Sequence, residues 1–133
     1  MKKNGFTLVE LLAVIVILAI ILVIAVPKIL TVIDDTRIES MKSSAKMIID
    51  SAEREYATRT ALGQATAGML CTDVASISDA DYILPTATNQ CTLTFDGSGN
   101  ATLKLYGKTG GKFAGKCITA GTRATVTVTT TCP

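Results

Sequence analysis

The chain has 133 residues, 48% of them hydrophobic, with 13 basic and 11 acidic side chains and a net charge of +2. That length accommodates one long helix and a single small domain of roughly 100 residues with a modest core. There is no histidine, and the four cysteines, Cys71, Cys91, Cys117 and Cys132, show no Cys-x-x-Cys spacing. Zinc and thioredoxin-like chemistry therefore lack support, and no nucleophile-and-base arrangement can be assembled from the remaining side chains. The chain reads as a non-enzyme without cofactor or metal.

From the amino end, Met1-Lys2-Lys3-Asn4-Gly5 precedes the stretch Phe6 to Val26, in which Glu10 is the only ionisable side chain. Sixteen consecutive apolar residues run from Leu11 to Val26, a rise of ~24 Å as a helix, and from Phe6 the segment reaches ~30 Å, about one hydrocarbon core. An ordinary secretory signal peptide has a similar start, but no small-residue cleavage site follows the apolar run, which continues into Pro27-Lys28-Ile29-Leu30. Any processing signal lies before the hydrophobic segment. An ionised carboxylate inside a bilayer costs at least ~2.5 to 3.5 kcal/mol on insertion scales, so Glu10 is a candidate functional residue. Its alternative is hydration or protonation near the headgroups, one turn from the helix start.

Lys2-Lys3-Asn4-Gly5-Phe6-Thr7-Leu8-Val9-Glu10-Leu11-Leu12 resembles the prepilin signal of type IV pilins and of the related pseudopilins of type II secretion and competence systems. The shared pattern is a basic leader ending in Gly, a following Phe, a Glu four residues later and an apolar helix, and Pro27 resembles that family's helix-kinking proline. The resemblance is tight over residues 5 to 27 and architectural beyond. It implies cleavage between Gly5 and Phe6 by a prepilin peptidase, which also methylates the new Phe6 amine. It implies assembly into a homo-oligomeric helical filament, served by an assembly ATPase and a membrane platform protein. In such a bundle the Phe6 amine of one subunit meets the Glu10 carboxylate of a neighbour and sets the axial register. Lys2 and Lys3 favour a cytoplasmic amino end, with Lys28 weakening that bias at the other side. The expected location is the cytoplasmic membrane, single-pass with the carboxyl terminus outside, and then a cell-surface pilus.

Removal of Lys2 and Lys3 leaves eleven basic and eleven acidic side chains, a balance suited to dense packing of subunits. Locally the charge is uneven. Residues 61 to 96 hold Asp73, Asp79, Asp81 and Asp96 without a basic residue, and residues 97 to 133 hold Lys104, Lys108, Lys112, Lys116 and Arg123 without an acidic one. Contact between such segments of different subunits is one reading, and ordinary solvated surface the other. All four cysteines fall in the part expected outside the cytoplasm. They allow three pairings, of which Cys71–Cys91 and Cys117–Cys132 are favoured because each closes a short loop, stabilising by roughly 3 kcal/mol in a loop-entropy estimate. The second pairing also resembles the carboxyl-terminal disulfide loop of many pilins.

Pro27 predicts a bend or local melting near Ala25 or Val26, after which the helix resumes. Ile38, Met41, Ala45, Ile48, Ala52 and Tyr56 then recur at three- and four-residue steps, an apolar face suited to carrying a sheet. The helix is expected to fade near Leu62-Gly63, followed by a connecting region over 63 to 90, with a short turn at Ser78 to Pro85 packing Tyr82 and Leu84. Period-two alternation marks strands at Cys91 to Phe95, Ala101 to Leu105 and Ala124 to Val128, with Asp96 to Asn100 as a hairpin loop. Phe113 to Thr119 reads as a fourth, in which Cys117 and Ile118 cannot both face inward.

Asp96-Gly97-Ser98-Gly99-Asn100 resembles the opening of a calcium loop, but its twelfth position is Gly107 and not a bidentate Glu, so a plain turn is favoured. Asn100-Ala101-Thr102 fits the glycosylation acceptor pattern, a weak signal. The lysines at 104, 108, 112 and 116 recur every four residues and would line one side of ideal strands, a patch that could hold DNA; Gly107, Gly110, Gly111 and Gly115 interrupt that geometry. The expectation is an α+β protein, pilin-like: a long amino-terminal helix, half membrane-spanning and half amphipathic, on a small antiparallel sheet of three or four strands. Residues 1–5 form the leader, 6–27 the membrane and filament-core helix, and 28–133 the amphipathic helix and extracytoplasmic head. The expected function is a structural subunit of a type IV pilus, the alternative a pseudopilin of a type II secretion or DNA-uptake system. A solitary membrane-anchored binding domain explains the helix but not the leader.

Overall fold

The computed structural model describes residues 5–67, 69–74, 81–82 and 91–132. Two compact units divide between Thr36 and Arg37. One helix, α1 (Leu8–Ala61), contributes to both. It is helical throughout, Pro27 included, so the local melting expected near Ala25 or Val26 does not occur. Pro27 removes one backbone donor, and the neighbouring turns retain helical geometry around it.

In the first unit the apolar side chains lie on the surface. Phe6, Leu12, Ile15, Leu18, Ile21 and Val26 are all exposed, and the helix holds an 18-residue window of mean hydropathy 3.4. This segment is long and apolar enough to cross a membrane. Chemistry changes beyond Arg37. Met41, Ala45, Ile48, Ile49 and Ala52 are buried, with Ile38 and Tyr56 half-buried, so the stripe predicted by spacing is the one that packs, widened by Ile49. Ion pairs at i,i+3 and i,i+4 spacing join Lys42 with Glu39 at 2.6 Å and Arg59 with Glu55 at 2.8 Å along the same helix.

Gly63 ends α1 where the sequence placed the stop. It adopts φ 67°, and its N–H donates to Thr60 O while Gln64 N–H donates to Arg59 O, the paired bonds of a Schellman cap. A helical turn, α2 (Cys71–Val74), follows in the region read as connection. Leu70 N–H donates to Asp73 Oδ2 at 3.0 Å, and Asp73 N–H donates back to Leu70 O. A disulfide joins Cys71 to Cys91. Tyr82 is buried and stacks on Phe113 with ring centroids 4.9 Å apart. The rest of the expected turn from Ser78 to Pro85, Leu84 included, lies outside the described residues, apart from Asp81.

Three antiparallel strands complete the head in the order β1 (Cys91–Phe95), β2 (Ala101–Tyr106) and β3 (Cys117–Gly121). Leu93 pairs with Leu103 and Cys91 with Leu105, so β2 sends Ala101, Leu103 and Leu105 into the core opposite the apolar face of α1. Tyr56 stacks on Phe95 at 4.8 Å and closes one end of that core.

Two sequence expectations change here. Phe113 to Gly115 form turns, and the strand begins only at Cys117. Within it Ile118 opposes Leu105 on the core side and Cys117 opposes Tyr106 on the other, yet both are fully buried. They do not face the same way. Cys117 is covered on the outer face by the carboxyl-terminal segment, through paired backbone bonds with Thr129 and a disulfide to Cys132.

The strand expected over Ala124 to Val128 is absent. Thr122 and Thr125 exchange backbone bonds at 2.8 and 3.1 Å, a tight hairpin turn, and Cys117 and Thr129 exchange another pair at 2.9 and 2.8 Å. Between those anchors residues 118–121 face residues 126–128, one fewer. The registers fixed at the two ends differ by one residue, and no continuous ladder runs between them. Val126 and Val128 remain packed against the core, which is why their alternation looked like a strand.

Gly107 lies where β2 leaves the sheet, and a Cβ there would fall 1.8 Å from the Phe113 carbonyl oxygen. Gly107→Ala is expected to destabilise the head by about 2–4 kcal/mol, because backbone must move. Gly97→Ala, in open space at a permissive backbone position, is expected to stay within about 0.5 kcal/mol. Thermal unfolding of the detergent-solubilised full chain, followed by circular dichroism, measures both.

Candidate assembly site

The amino-terminal start of α1 is built by Thr7 and Glu10. Thr7 N–H and Thr7 Oγ1–H both donate to Glu10 Oε2 at 2.8 Å, and Glu10 N–H donates back to Thr7 Oγ1 at 3.3 Å. Leu11 N–H closes the first turn on Thr7 O at 3.3 Å. This reciprocal arrangement is a capping box: each side chain satisfies an amide that the helix itself leaves unpaired. The signal was present in the sequence as Thr7-Leu8-Val9-Glu10, the pattern of a capping hydroxyl three residues before a carboxylate. Reading Glu10 only for its charge in lipid passed over it.

Gly5 and Phe6 precede the helix and are exposed. The leader positions 1–4 lie outside the described residues. Of the positions singled out by sequence, Phe6 and Glu10 thus stand within one turn of each other, and Pro27 lies further along α1. The arrangement can hold a carboxylate at a fixed place on an apolar helix surface. Its negative charge also complements the partial positive charge of the helix amino terminus.

The head has two polar ends along α1. At one, Glu53 Oε1 accepts from Ala101 N–H at 3.2 Å, and Arg123 reaches Glu53 Oε2 at 3.1 Å and Asp50 Oδ1 at 3.3 Å. Beside them the Asp96 carboxylate organises the β1–β2 turn, accepting from Ser98 N–H at 2.8 Å, Asn100 N–H at 2.9 Å and Asn100 Nδ2 at 2.8 Å. These bonds hold its carboxyl below the usual carboxylate range, the Asn100 side chain contributing most. They account for the calcium-like sequence as turn chemistry. Glu53, Asp96, Asn100, Thr122, Arg123 and Ala124 line an open recess of about 510 Å³ at this end.

At the other end the loop from Gly107 to Lys116 closes on Ser40 and Asp81. Lys112 Nζ donates to Ser40 Oγ at 3.0 Å and lies 5.1 Å from the Phe113 ring centroid, while Lys112 N–H donates to Asp81 Oδ1 and Lys108 N–H to Asp81 O. Asp81, read in sequence as part of a turn and of an acidic segment, anchors this loop. The four periodic lysines do not form a stripe. Lys104 is exposed on the outer face of β2, Lys108 and Lys112 belong to the loop, and Lys116 is buried.

Two measurements check these local structures. Thr7→Ala is expected to lower hydrogen-exchange protection at the Glu10 amide about fivefold in micelles, the effect of losing roughly 1 kcal/mol of capping, with Thr7→Ser retaining protection. For Asp96 the folded carboxyl is depressed, so its contribution is full above the ordinary carboxylate range and is lost as the pH falls through that range and below. An acid titration of head stability is expected to show that loss in the natural chain and a flatter profile in Asp96→Asn.

No curated protein and no solved structure matches the chain. Residues 1–26 match the family model described as the prokaryotic N-terminal methylation motif. That match covers the basic leader, the Gly5–Phe6 junction, the Thr7–Glu10 cap and the apolar start of α1: the chain carries a type IV prepilin signal.

Proposed function

We propose that this chain is the structural subunit of a type IV pilus, cut between Gly5 and Phe6 and assembled through α1. The observation that carries the reading is a surface-exposed apolar stretch, Phe6 to Val26, whose lone carboxylate, Glu10, is fixed in the first turn of α1, directly after the Gly5–Phe6 junction. Before assembly, residues 6–27 lie in the cytoplasmic membrane with the head outside. During assembly, helix contacts replace lipid contacts, and packing within the bundle supplies the attraction. The Phe6 amine freed by cleavage meets Glu10 of a neighbouring subunit. In apolar surroundings that attraction is several-fold stronger than in water and fixes the axial register. Prepilin peptidase, an assembly ATPase and a platform protein act on it from the membrane. Two disulfides and a threonine-rich head favour a surface filament over a short pseudopilus, which shares the same signal.

Intact and amino-terminal mass spectrometry on filaments sheared from cells, with and without reduction, tests the proposal. The expected chain begins at N-methylated Phe6 and gains four hydrogens on reduction of its two disulfides. Glu10→Ala is expected to be cleaved and membrane-resident with few filaments; abundant normal filaments from that variant reject the register role. Cleaved protein confined to membranes in the natural strain supports the pseudopilin instead, and retention of Met1 to Gly5 beside an active prepilin peptidase rejects both.

A further inference from the structure

The two disulfides of the head differ in what surrounds them. Cys71 opens α2 and Cys91 opens β1, and both are fully buried members of the core. Cys117 is fully buried as well, but its partner Cys132 is exposed. A thiolate displaces one sulfur of a disulfide by attacking the other, so access to either one is enough for exchange. Cys132 offers that access, and neither cysteine of the other bridge does.

The segment that carries Cys132 is lightly held. Beyond the Thr122–Thr125 turn, the backbone bonds that tie it to β3 among the described residues are the pair between Cys117 and Thr129. Ala124, Thr127, Thr130 and Thr131 are exposed, and Val126 and Val128 are half-buried. Segments with few backbone bonds and little buried surface open at low free energy. Attack at Cys132 makes Cys117 the leaving group. Thr129 Oγ1 lies 3.3 Å from Cys117 Sγ and 3.4 Å from Cys117 O. Its single proton can turn from the carbonyl to the sulfur as negative charge develops there, and a hydrogen bond to the charged form eases departure.

We infer that Cys117–Cys132 is a redox latch, which an external dithiol opens to release the arm from Arg123 to Cys132 while Cys71–Cys91 stays closed in the core. The first thiolate of the dithiol bonds to Cys132 Sγ, and the Cys117–Cys132 bond breaks with its electron pair on Cys117 Sγ. The second thiolate then attacks the reductant's own sulfur in the mixed disulfide and frees Cys132. Two electrons pass to the protein, the two thiol protons end on Cys117 and Cys132, and the reductant closes to a cyclic disulfide. Release uncovers Cys117 on the outer side of β3. Thr129 is a positioning residue for the exchange and does not itself react. All of these residues lie in the head, so the latch stands whether or not the chain forms a filament.

Limited reduction of the full chain in detergent tests the latch, with dithiothreitol as reductant, N-ethylmaleimide as trap and peptide mass spectrometry as readout. Cys117 and Cys132 are expected to be labelled about tenfold faster than Cys71 and Cys91, and the difference is expected to vanish in denaturant. In the singly reduced protein the Thr129 amide loses hydrogen-exchange protection, while amides across the β1–β2 pairing keep theirs. Glutathione, a monothiol, is expected to be captured on Cys132 and to leave Cys117 free. Thr129→Val retains the backbone bonds and is expected to slow that capture about threefold, with Thr129→Ser restoring the rate; a merely loosened arm would react faster. Equal labelling of the two bridges in the folded chain, a difference that persists in denaturant, glutathione on Cys117, or a Thr129 amide still protected after reduction overturns the latch. Capture that is unchanged or faster in Thr129→Val overturns the positioning role of Thr129.

Discussion

An apolar surface wrapping every side of α1 from Leu11 to Val26 governs this protein. Such a surface has no stable place in water, because each large apolar side chain left exposed forgoes about 1.5–3 kcal/mol of burial. It requires lipid or other helices. Within α1 the buried side chains begin only at Met41. One continuous helix therefore meets two solvents in turn, and its sequence changes from apolar on all sides to apolar on one stripe between Val26 and Met41.

The head answers a different constraint. With three short strands and the stripe of α1, its core is small, and covalent links supplement it at the positions where regular structure runs out. Cys71–Cys91 ties the single turn α2 to the first residue of β1. Cys117–Cys132 holds the carboxyl-terminal segment over the outer face of β3, where the arm from Thr125 to Val128 has no ladder to hold it. Each bridge joins a strand to a segment with few backbone bonds of its own. Each closes a loop of the size for which chain-entropy models assign roughly 3 kcal/mol.

Where one interaction dominates, the sequence was a sufficient guide. The extended helix, its buried stripe, its stop at Gly63 and the β1–β2 hairpin follow from hydropathy, period and turn chemistry, each a local property. The misses share a different cause. Val126 and Val128 alternate as a strand should, but the pairing that would make them one is set by two anchors whose registers disagree, and register is not a local property. Cys117 and Ile118 do face opposite ways, as alternation requires; what the local pattern did not reveal is that the segment disulfide-bonded through Cys132 buries the outer side as well. Of the bend or melting expected at Pro27, the melting does not occur, because one lost donor does not outweigh the helical bonds around it.

Glu10 combines two requirements that are separable in principle. A carboxylate in apolar surroundings is costly unless its lone pairs are occupied, and a carboxylate that selects a partner must keep acceptor capacity in hand. The capping box reconciles these. Oε2 takes both Thr7 donors, which satisfies part of the charge and fixes the side chain against the first turn. The Thr7 amide lies one residue beyond the Gly5–Phe6 junction, so cutting that junction leaves this donor in place. In the proposed filament the carboxylate is therefore already positioned when the Phe6 amine first appears. The ordering of a flexible glutamate side chain, a cost that otherwise falls on the contact between subunits, has been met within the helix that carries it.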